Sequence, residues 1–408
     1  MAAGMGIRAR ARGVAPSVQM ADGDVPSRLG AAVRLPVDPW LALGAAGIGV
    51  CSVLTLRSAG TTGGTPPHYY MVRQSVYLAL GLLAMLVVSR FDYGPLRRAA
   101  RPIYVALLVS LLGVWVAGSS ANGSVRAIQF PLFSFQASEI GKVLLVVALA
   151  AFLVERFRHI RERRTTAQVM LLALLAGLFV IIQPDIGSSM VYVVIALAIL
   201  FVGGVPGRIL ATLLVLGVAA IAIILVAAPA AGVHVLKPYQ QERLTAFLHP
   251  SANAEKQGYQ QVESKIAIGS GQKTGNTAAT QTALNFVPEA QTDFIFATAG
   301  ERYGFVGAAL VLSLYALLIW RILRILTLSK DLFGALLCGG VVAMVMFQVF
   351  INVGMAVGIS PITGITLPLM SYGGSSVLST MLALGLVQAV YAQARSTFAR
   401  KGAALAVQ

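Results

Sequence analysis

Apolar residues in this chain of 408 come in long blocks rather than in the alternating pattern of half-buried soluble elements. A helix needs about 20 residues to cross a hydrocarbon layer of about 30 Å. Blocks of that order fall at residues 39–56, 74–89, 102–118, 138–154, 167–183, 187–204, 208–228, 304–325, 333–352 and 374–392. The pattern predicts an all-α polytopic membrane protein of about ten transmembrane helices. One long polar insert, 229–303, separates span seven from span eight. A second interruption runs from Asn352 to Ser376 and is crowded with Gly and Pro. It predicts broken or re-entrant backbone, tolerated at membrane depth only under protein or around a wet cavity. Residues 1–37, rich in Gly, Ala, Arg and Pro without period, predict a disordered tail. The membrane domain then covers 38–395, and 396–408 forms a second tail.

Composition sharpens this. With 57% hydrophobic and 11% charged residues, against about 25% charged in soluble domains, an ordinary soluble protein is excluded. The net charge of +16 raises nucleic acid as a partner, and its distribution removes it. With the N-terminus inside, the inner segments hold 21 of the 31 basic and 7 of the 15 acidic residues, +14 inside against +2 outside. That is the positive-inside pattern, so both termini are expected in the cytoplasm and the 229–303 insert outside. The basic residues are split among six short loops, which is no nucleic-acid patch. Cys51 and Cys338 fall inside apolar spans and read as buried free thiols, with neither a disulfide framework nor a metal site. No hydrophobic core of a cleavable leader follows the Arg-rich start closely, so span one is expected to stay as an anchor.

Candidate chemistry lies where charge meets these spans. Asp293 precedes a membrane-length apolar run, where a lone carboxylate avoids lipid and seeks a polar cleft. Read from the residues alone, a cap shared with Thr292 and a general base are equally open. Ser138 can cap span four, and Glu139 suits its first turn. Glu139 and Lys142, three apart, share one helix face at the outer membrane edge; a structural ion pair and a cleft-facing, phosphate-contacting pair are equally open. Arg73 at the mouth of span two reads as a snorkelling cation, and Asp185 as turn and cap chemistry. In the insert, Gln240 and Arg243 lie within Tyr239–Pro250, with Lys265 further on. Arg243 and Lys265 are external cations for a phosphate or for anionic headgroups. Val262, Ile266 and Ile268 predict a short amphipathic helix lying at the interface, broken by Gly269-Ser270-Gly271.

These residues resemble a known family, the SEDS (shape, elongation, division and sporulation) membrane proteins. The matching pieces are Arg73-Gln74, Phe135 to Lys142, Gln183 to Gly187, Ser264 to Gly271, Leu284 to Phe296 and Pro361 to Ser376, in order across about 38–395. Asp38-Pro39-Trp40, Tyr239 to Pro250, Asn352 to Met355 and Pro361 to Gly364 resemble the RodA branch more than the FtsW branch. The resemblance implies a peptidoglycan glycosyltransferase that polymerises lipid II at the outer face of the bacterial cytoplasmic membrane. It implies a class B penicillin-binding protein as crosslinking partner, alongside other membrane proteins of the elongation complex. The family's essential Asp falls on Asp293, its fourth-helix Glu and Lys on Glu139 and Lys142, and its outer Arg on Arg73. Three departures stand out. Ala137 replaces the usual Pro, the Gly-rich continuation after Gly271 becomes Gln272-Lys-Thr-Gly275, and Glu301-Arg302 replaces a pair of Glu.

The expected reaction removes a proton from an acceptor sugar's 4-hydroxyl as it attacks the donor's anomeric carbon, with Asp293 as base. The departing lipid-linked pyrophosphate calls for Arg73, Lys142, Arg243 and Lys265, with Glu139 orienting Lys142 and Gln240 among the substrate contacts. No cofactor is demanded and no metal-ligand set is evident; a divalent cation, Mg or Mn, is the one candidate for the pyrophosphate. Other functions fit the composition: a lipid II flippase, an FtsW-like division or sporulation enzyme, or a scaffold of the elongation machinery. A flippase calls for internal repeats, and none is visible.

Overall fold

Each apolar block becomes a helix. The computed structural model describes residues 37–58, 68–121, 124–129, 134–223, 247, 257–276 and 289–405. Within them run α1 (Pro39–Ser58), α2 (Tyr69–Arg90), α3 (Ala100–Ala117), α4 (Ala137–Glu155), α5 (Arg163–Ile182), α6 (Ile186–Val202) and α7 (Gly207–Ala222). Then follow α8 (Gln257–Ser270), α9 (Ile295–Leu328), α10 (Leu332–Val357) and α11 (Gly374–Leu405). Eight of these are long and apolar enough to cross a membrane, and α6 and α7 are shorter apolar helices. This is an all-α, multi-pass membrane protein.

Burial sorts the helices into a centre and a rim. The apolar stretches of α4 and α11 are each 83% buried, whereas those of α2, α3 and α9 are 22% buried. The rim helices turn Leu, Val and Phe outward, as in Leu83, Val109 and Phe305, which suits a hydrocarbon solvent rather than water. Around α4 pack α3, α6, α10 and α11; α2 lies along α11, and α1 along α9.

Polar residues fix where the helices begin. Pro39 opens α1, where its missing N–H costs nothing. Asp38 Oδ1 accepts the Leu41 N–H at 2.9 Å. The same carboxylate, fully buried, is ion-paired to Arg321 of α9. Gln388 of α11 binds the Asp38 main chain at both ends, accepting its N–H at 2.7 Å and donating to its carbonyl at 3.1 Å. Three helices are thereby tied to one residue.

Several details go beyond the sequence pattern. α9 starts at Ile295, within the polar insert, and then breaks at Gly304 (φ 62°, ψ −160°), where the apolar span was placed to begin. The break leaves N–H groups without helical acceptors, and the loop after α8 takes them: Phe305 N–H to Gln272 O at 2.9 Å and Val306 N–H to Lys273 O at 3.1 Å. Contact this close needs bare backbone. A Cβ on Gly271 would fall 2.0 Å from the Gly300 carbonyl oxygen. The helix expected from Val262, Ile266 and Ile268 is present as α8, and its buried face mixes fully buried Ala267 and core-packed Ile268 with polar side chains. Gln261 and Ser264 are buried while Ile266 is exposed. They donate to carbonyls of Ser360 (3.0 Å) and Ala356 (2.8 Å) beyond and within the end of α10. The helix is thus held by unspent carbonyls at a helix terminus. A small antiparallel sheet is formed by β1 (Ser119–Ala121), β2 (Ser124–Gln129) and β3 (Ser134–Phe135), in that order. Finally, α11 runs on to Leu405 through a stretch rich in Ala, Gln and Arg, so 396–405 of the second tail is helical. The tail of residues 1–37 lies, but for its last residue, outside the described residues.

Candidate active site

The interruption between α10 and α11 is the hub. Residues 358–373 carry no helix or strand, yet Ile362, Ile365, Leu367, Leu369, Met370 and Ser371 are buried. Left-handed φ at Gly358 (86°) and Gly364 (75°) supplies the turns. The irregular backbone of this segment is therefore covered by protein. Its polar groups are taken up by the elements around it, and those elements carry the candidate residues.

From α2, the fully buried Gln74 donates to Ser371 O and to Ser52 Oγ, both at 3.1 Å. Its neighbour Arg73 donates to the Tyr372 hydroxyl. The guanidinium also lies 4.8 Å from the centroid of Tyr69. Tyr70 meets Tyr372 edge-on at 4.9 Å. Arg73 is thus seated in a tyrosine nest rather than loosely snorkelling.

From α4, Gln136 N–H donates to Ser375 Oγ at 3.0 Å. The Glu139 and Lys142 side chains pair at 2.7 Å, with residue exposures of 4% and 2%. Ser379 of α11 stands 3.5 Å from the second Glu139 oxygen. The shared helix face predicted for this pair is present, two residues inside the start of α4. Both charges are buried, with Ser379 of α11 beside them. Ser138 does not cap α4. The cap position is Gln136, without a side-chain bond, and Ser138 Oγ donates to Asp185 at 3.1 Å instead. Asp185 has the structural role expected of it: it caps α6 through Ser188 N–H at 3.0 Å.

Asp293 is half-buried in the turn that precedes α9. The cap of α9 falls on Phe294 and makes no side-chain hydrogen bond, so neither Thr292 nor Asp293 fills that position. The turn is fastened instead through its carbonyls. Tyr372 N–H donates to Gln291 O at 3.0 Å, Ser371 Oγ to Thr292 O at 2.6 Å, and Asn352 Nδ2 to Asp293 O at 2.9 Å. Lys265 is exposed on α8, its stem against Gly358, where an added Cβ would meet it at 3.1 Å. Gln240 and Arg243 lie outside the described residues. Glu301, of the altered Glu-Arg pair, is buried in α9, and its Oε2 finds no donor among the described residues.

The structure therefore joins Arg73, the Glu139–Lys142 pair and the Asp293 turn to one segment, Leu367–Ser379. Sequence reading assigned no role to Gln74, Asn352, Ser371, Tyr372 or Ser379. The available signal was polar side chains inside or beside apolar spans, which membrane depth makes costly unless they are used. Among the described residues, no three Asp, Glu, His or Cys side chains come together as metal ligands.

This arrangement has relatives. Residues 37–396 match the model of the FtsW, RodA and SpoVE cell cycle protein family, and the chain belongs to it: it is a SEDS-family membrane protein. Over 335 residues it is 37% identical to a probable peptidoglycan glycosyltransferase FtsW of Thioalkalivibrio sulfidiphilus, covering 80% of this chain and 81% of that one. It is 33% identical over 325 residues to the peptidoglycan glycosyltransferase MrdB of Escherichia coli K12, covering 79% and 85%. Among solved structures, a chain of a peptidoglycan synthase complex described as coordinating polymerization and crosslinking superposes with a TM-score of 0.73 at 31% identity, covering 88% of this chain and 98% of that one. The rod shape determining protein RodA of Thermus thermophilus gives 0.63 at 28% identity, covering 87% and 96%.

Proposed function

We propose that this chain is a peptidoglycan glycosyltransferase that polymerises lipid II at the outer face of the bacterial cytoplasmic membrane, with Asp293 as general base. The activity is supported by the names its relatives carry at 33–37% identity over about four-fifths of the chain. The orientation is supported by the charge asymmetry, +14 against +2. The observation that carries the base assignment is half-buried Asp293 on a turn whose Gln291 and Thr292 carbonyls are fastened to the hub that also seats Arg73, and whose Asp293 carbonyl is held by Asn352 of α10.

In this reading Asp293 accepts the proton of the acceptor sugar's 4-hydroxyl. The oxygen forms a bond to the donor's anomeric carbon as the bond from that carbon to the lipid pyrophosphate breaks. The electron pair leaves with the phosphate oxygen, and Arg73 stands to meet the charge that develops there. Lys142 is buried and already paired, so it acts through the local field, with Glu139 holding it in place. Lys265, together with Gln240 and Arg243 of the insert, extends the cationic and polar rim. A Mg2+ or Mn2+ bound chiefly through substrate phosphates would supply charge neutralisation for the leaving pyrophosphate, with the proton transfer left to Asp293.

A class B penicillin-binding protein is the proposed crosslinking partner, in line with the synthase complex among the structural relatives. The RodA-like residues at 38–40, 352–355 and 361–364 support the elongation role over division. The test is the purified chain with its partner and lipid II. Asp293→Asn should make no glycan polymer, and near-normal polymer would overturn the base assignment.

A further inference from the structure

Three consecutive carbonyls, those of Gln291, Thr292 and Asp293, are each held by a different donor. In an ordinary turn before a helix such carbonyls face water or a single neighbour. Here the donors are the Tyr372 main chain, the Ser371 hydroxyl and the Asn352 amide, at 3.0, 2.6 and 2.9 Å. The donors are themselves anchored. Ser371 Oγ accepts from Leu367 N–H at 2.8 Å, and the Asn352 amide also donates to Ile365 O at 2.8 Å. Asn352 and Ser371 are 0% and 1% exposed.

The chemistry of position 352 is specific. Two carbonyls, one on the Asp293 turn and one on the re-entrant segment, require a group with two hydrogens on one nitrogen. Ser and Thr offer one hydrogen, ionised Asp offers none, and Gln is a methylene too long. Spending both hydrogens leaves Asn352 Oδ1 buried without a donor among the described residues, an unfavourable arrangement. Buried groups left short in this way cluster where geometry serves function.

We propose that Asn352 and Ser371 are positioning residues for Asp293. By fixing the carbonyls of Thr292 and Asp293 they set the direction in which the carboxylate leaves the backbone. A general base must come within about 2.6–3.2 Å of its proton, and a displacement of about 1 Å costs about 100-fold in rate. Tyr372 adds a link between sites, because its hydroxyl takes Arg73 while its N–H holds Gln291. The proposal rests on Asp293 being the base.

The experiment measures lipid II polymerisation by the purified complex, normalised to the monodisperse, folded fraction, for Asn352→Leu, Ser371→Ala, Ser371→Thr and Asp293→Asn. Asn352→Leu and Ser371→Ala should lower kcat by about 10- to 100-fold, as expected for a displaced catalytic group, while the KM for lipid II stays close to that of the parent. Ser371→Thr keeps a hydroxyl that can accept and donate, and should regain most of the lost kcat. Parent-like kcat in the leucine and alanine variants would overturn the proposal. So would a loss shared between kcat and KM, no rescue by Thr, or failure of both variants to fold, since each makes the contacts merely structural. Asp293→Asn separates the two ideas: if it polymerises normally the base assignment fails. If it is inactive while the other variants work, only the positioning role fails.

Discussion

Breaking the Glu139–Lys142 pair offers a prediction whose size follows from its burial. At 2.7 Å and an effective dielectric of about 20, the attraction is about 6 kcal/mol. Desolvating each ion costs several kcal/mol, so the intact pair is worth little in net stability. Removing one member is a different matter. Lys142→Met strands a carboxylate in a residue 4% exposed, whose remaining hydrogen-bond partner among the described residues is Ser379 at a long 3.5 Å. A stranded buried charge of this kind costs about 3–5 kcal/mol. Glu139→Gln strands the ammonium and should cost about as much by the same argument. The double variant removes both charges and should recover most of the loss. Denaturant unfolding in detergent, run as a double-mutant cycle, gives the coupling directly. A negligible effect of Lys142→Met, or a double variant as unstable as the sum of the singles, would refute the reasoning. Polymerisation by the double variant separates roles: restored stability without restored activity places the charges of this pair in the reaction.

Two further variants probe the backbone and the cationic seat. Gly304→Ala should be destabilising by about 1–3 kcal/mol from its left-handed φ alone. The added Cβ would also fall 2.4 Å from Gly275 N; a melting temperature equal to the parent's would contradict this. Arg73→Ala removes the contact with Tyr372 and the cation over Tyr69. It should lower kcat/KM for the lipid-linked donor by about 10- to 100-fold, as expected for a charge-assisted contact of about 1.5–3 kcal/mol, with folding retained. Unchanged donor kinetics would remove Arg73 from the site.

The number and approximate limits of the apolar helices were legible because membrane span length is a property of composition alone. Detail tied to tertiary context was not. The start of α9 lies within the polar insert because the loop at Gln272–Gly275, not the local sequence, supplies the acceptors that let the helix break at Gly304. The polar part of α8's buried face was not legible, because Gln261 and Ser264 donate to the carbonyls of Ser360, just past α10, and Ala356 within it, and a carbonyl leaves no mark in the sequence. In the site, the spacing of Glu139 and Lys142 gave their pairing, but their burial depends on α11. The fastening of Asp293 was invisible for the same reason as the α8 contact. Its donors, Asn352 and Ser371, lie 59 and 79 residues from the carbonyls they bind.

The central claim is that a carboxylate on this turn removes the proton from a lipid-borne sugar. The most direct measurement places the parent and Asp293→Asn, each with the partner, in proteoliposomes bearing fluorescent lipid II, and scores glycan polymer and lipid translocation separately. The account predicts polymer from the parent and none from the variant, whether or not lipid crosses the bilayer. Polymer from both, or translocation by the parent without polymer, would contradict it.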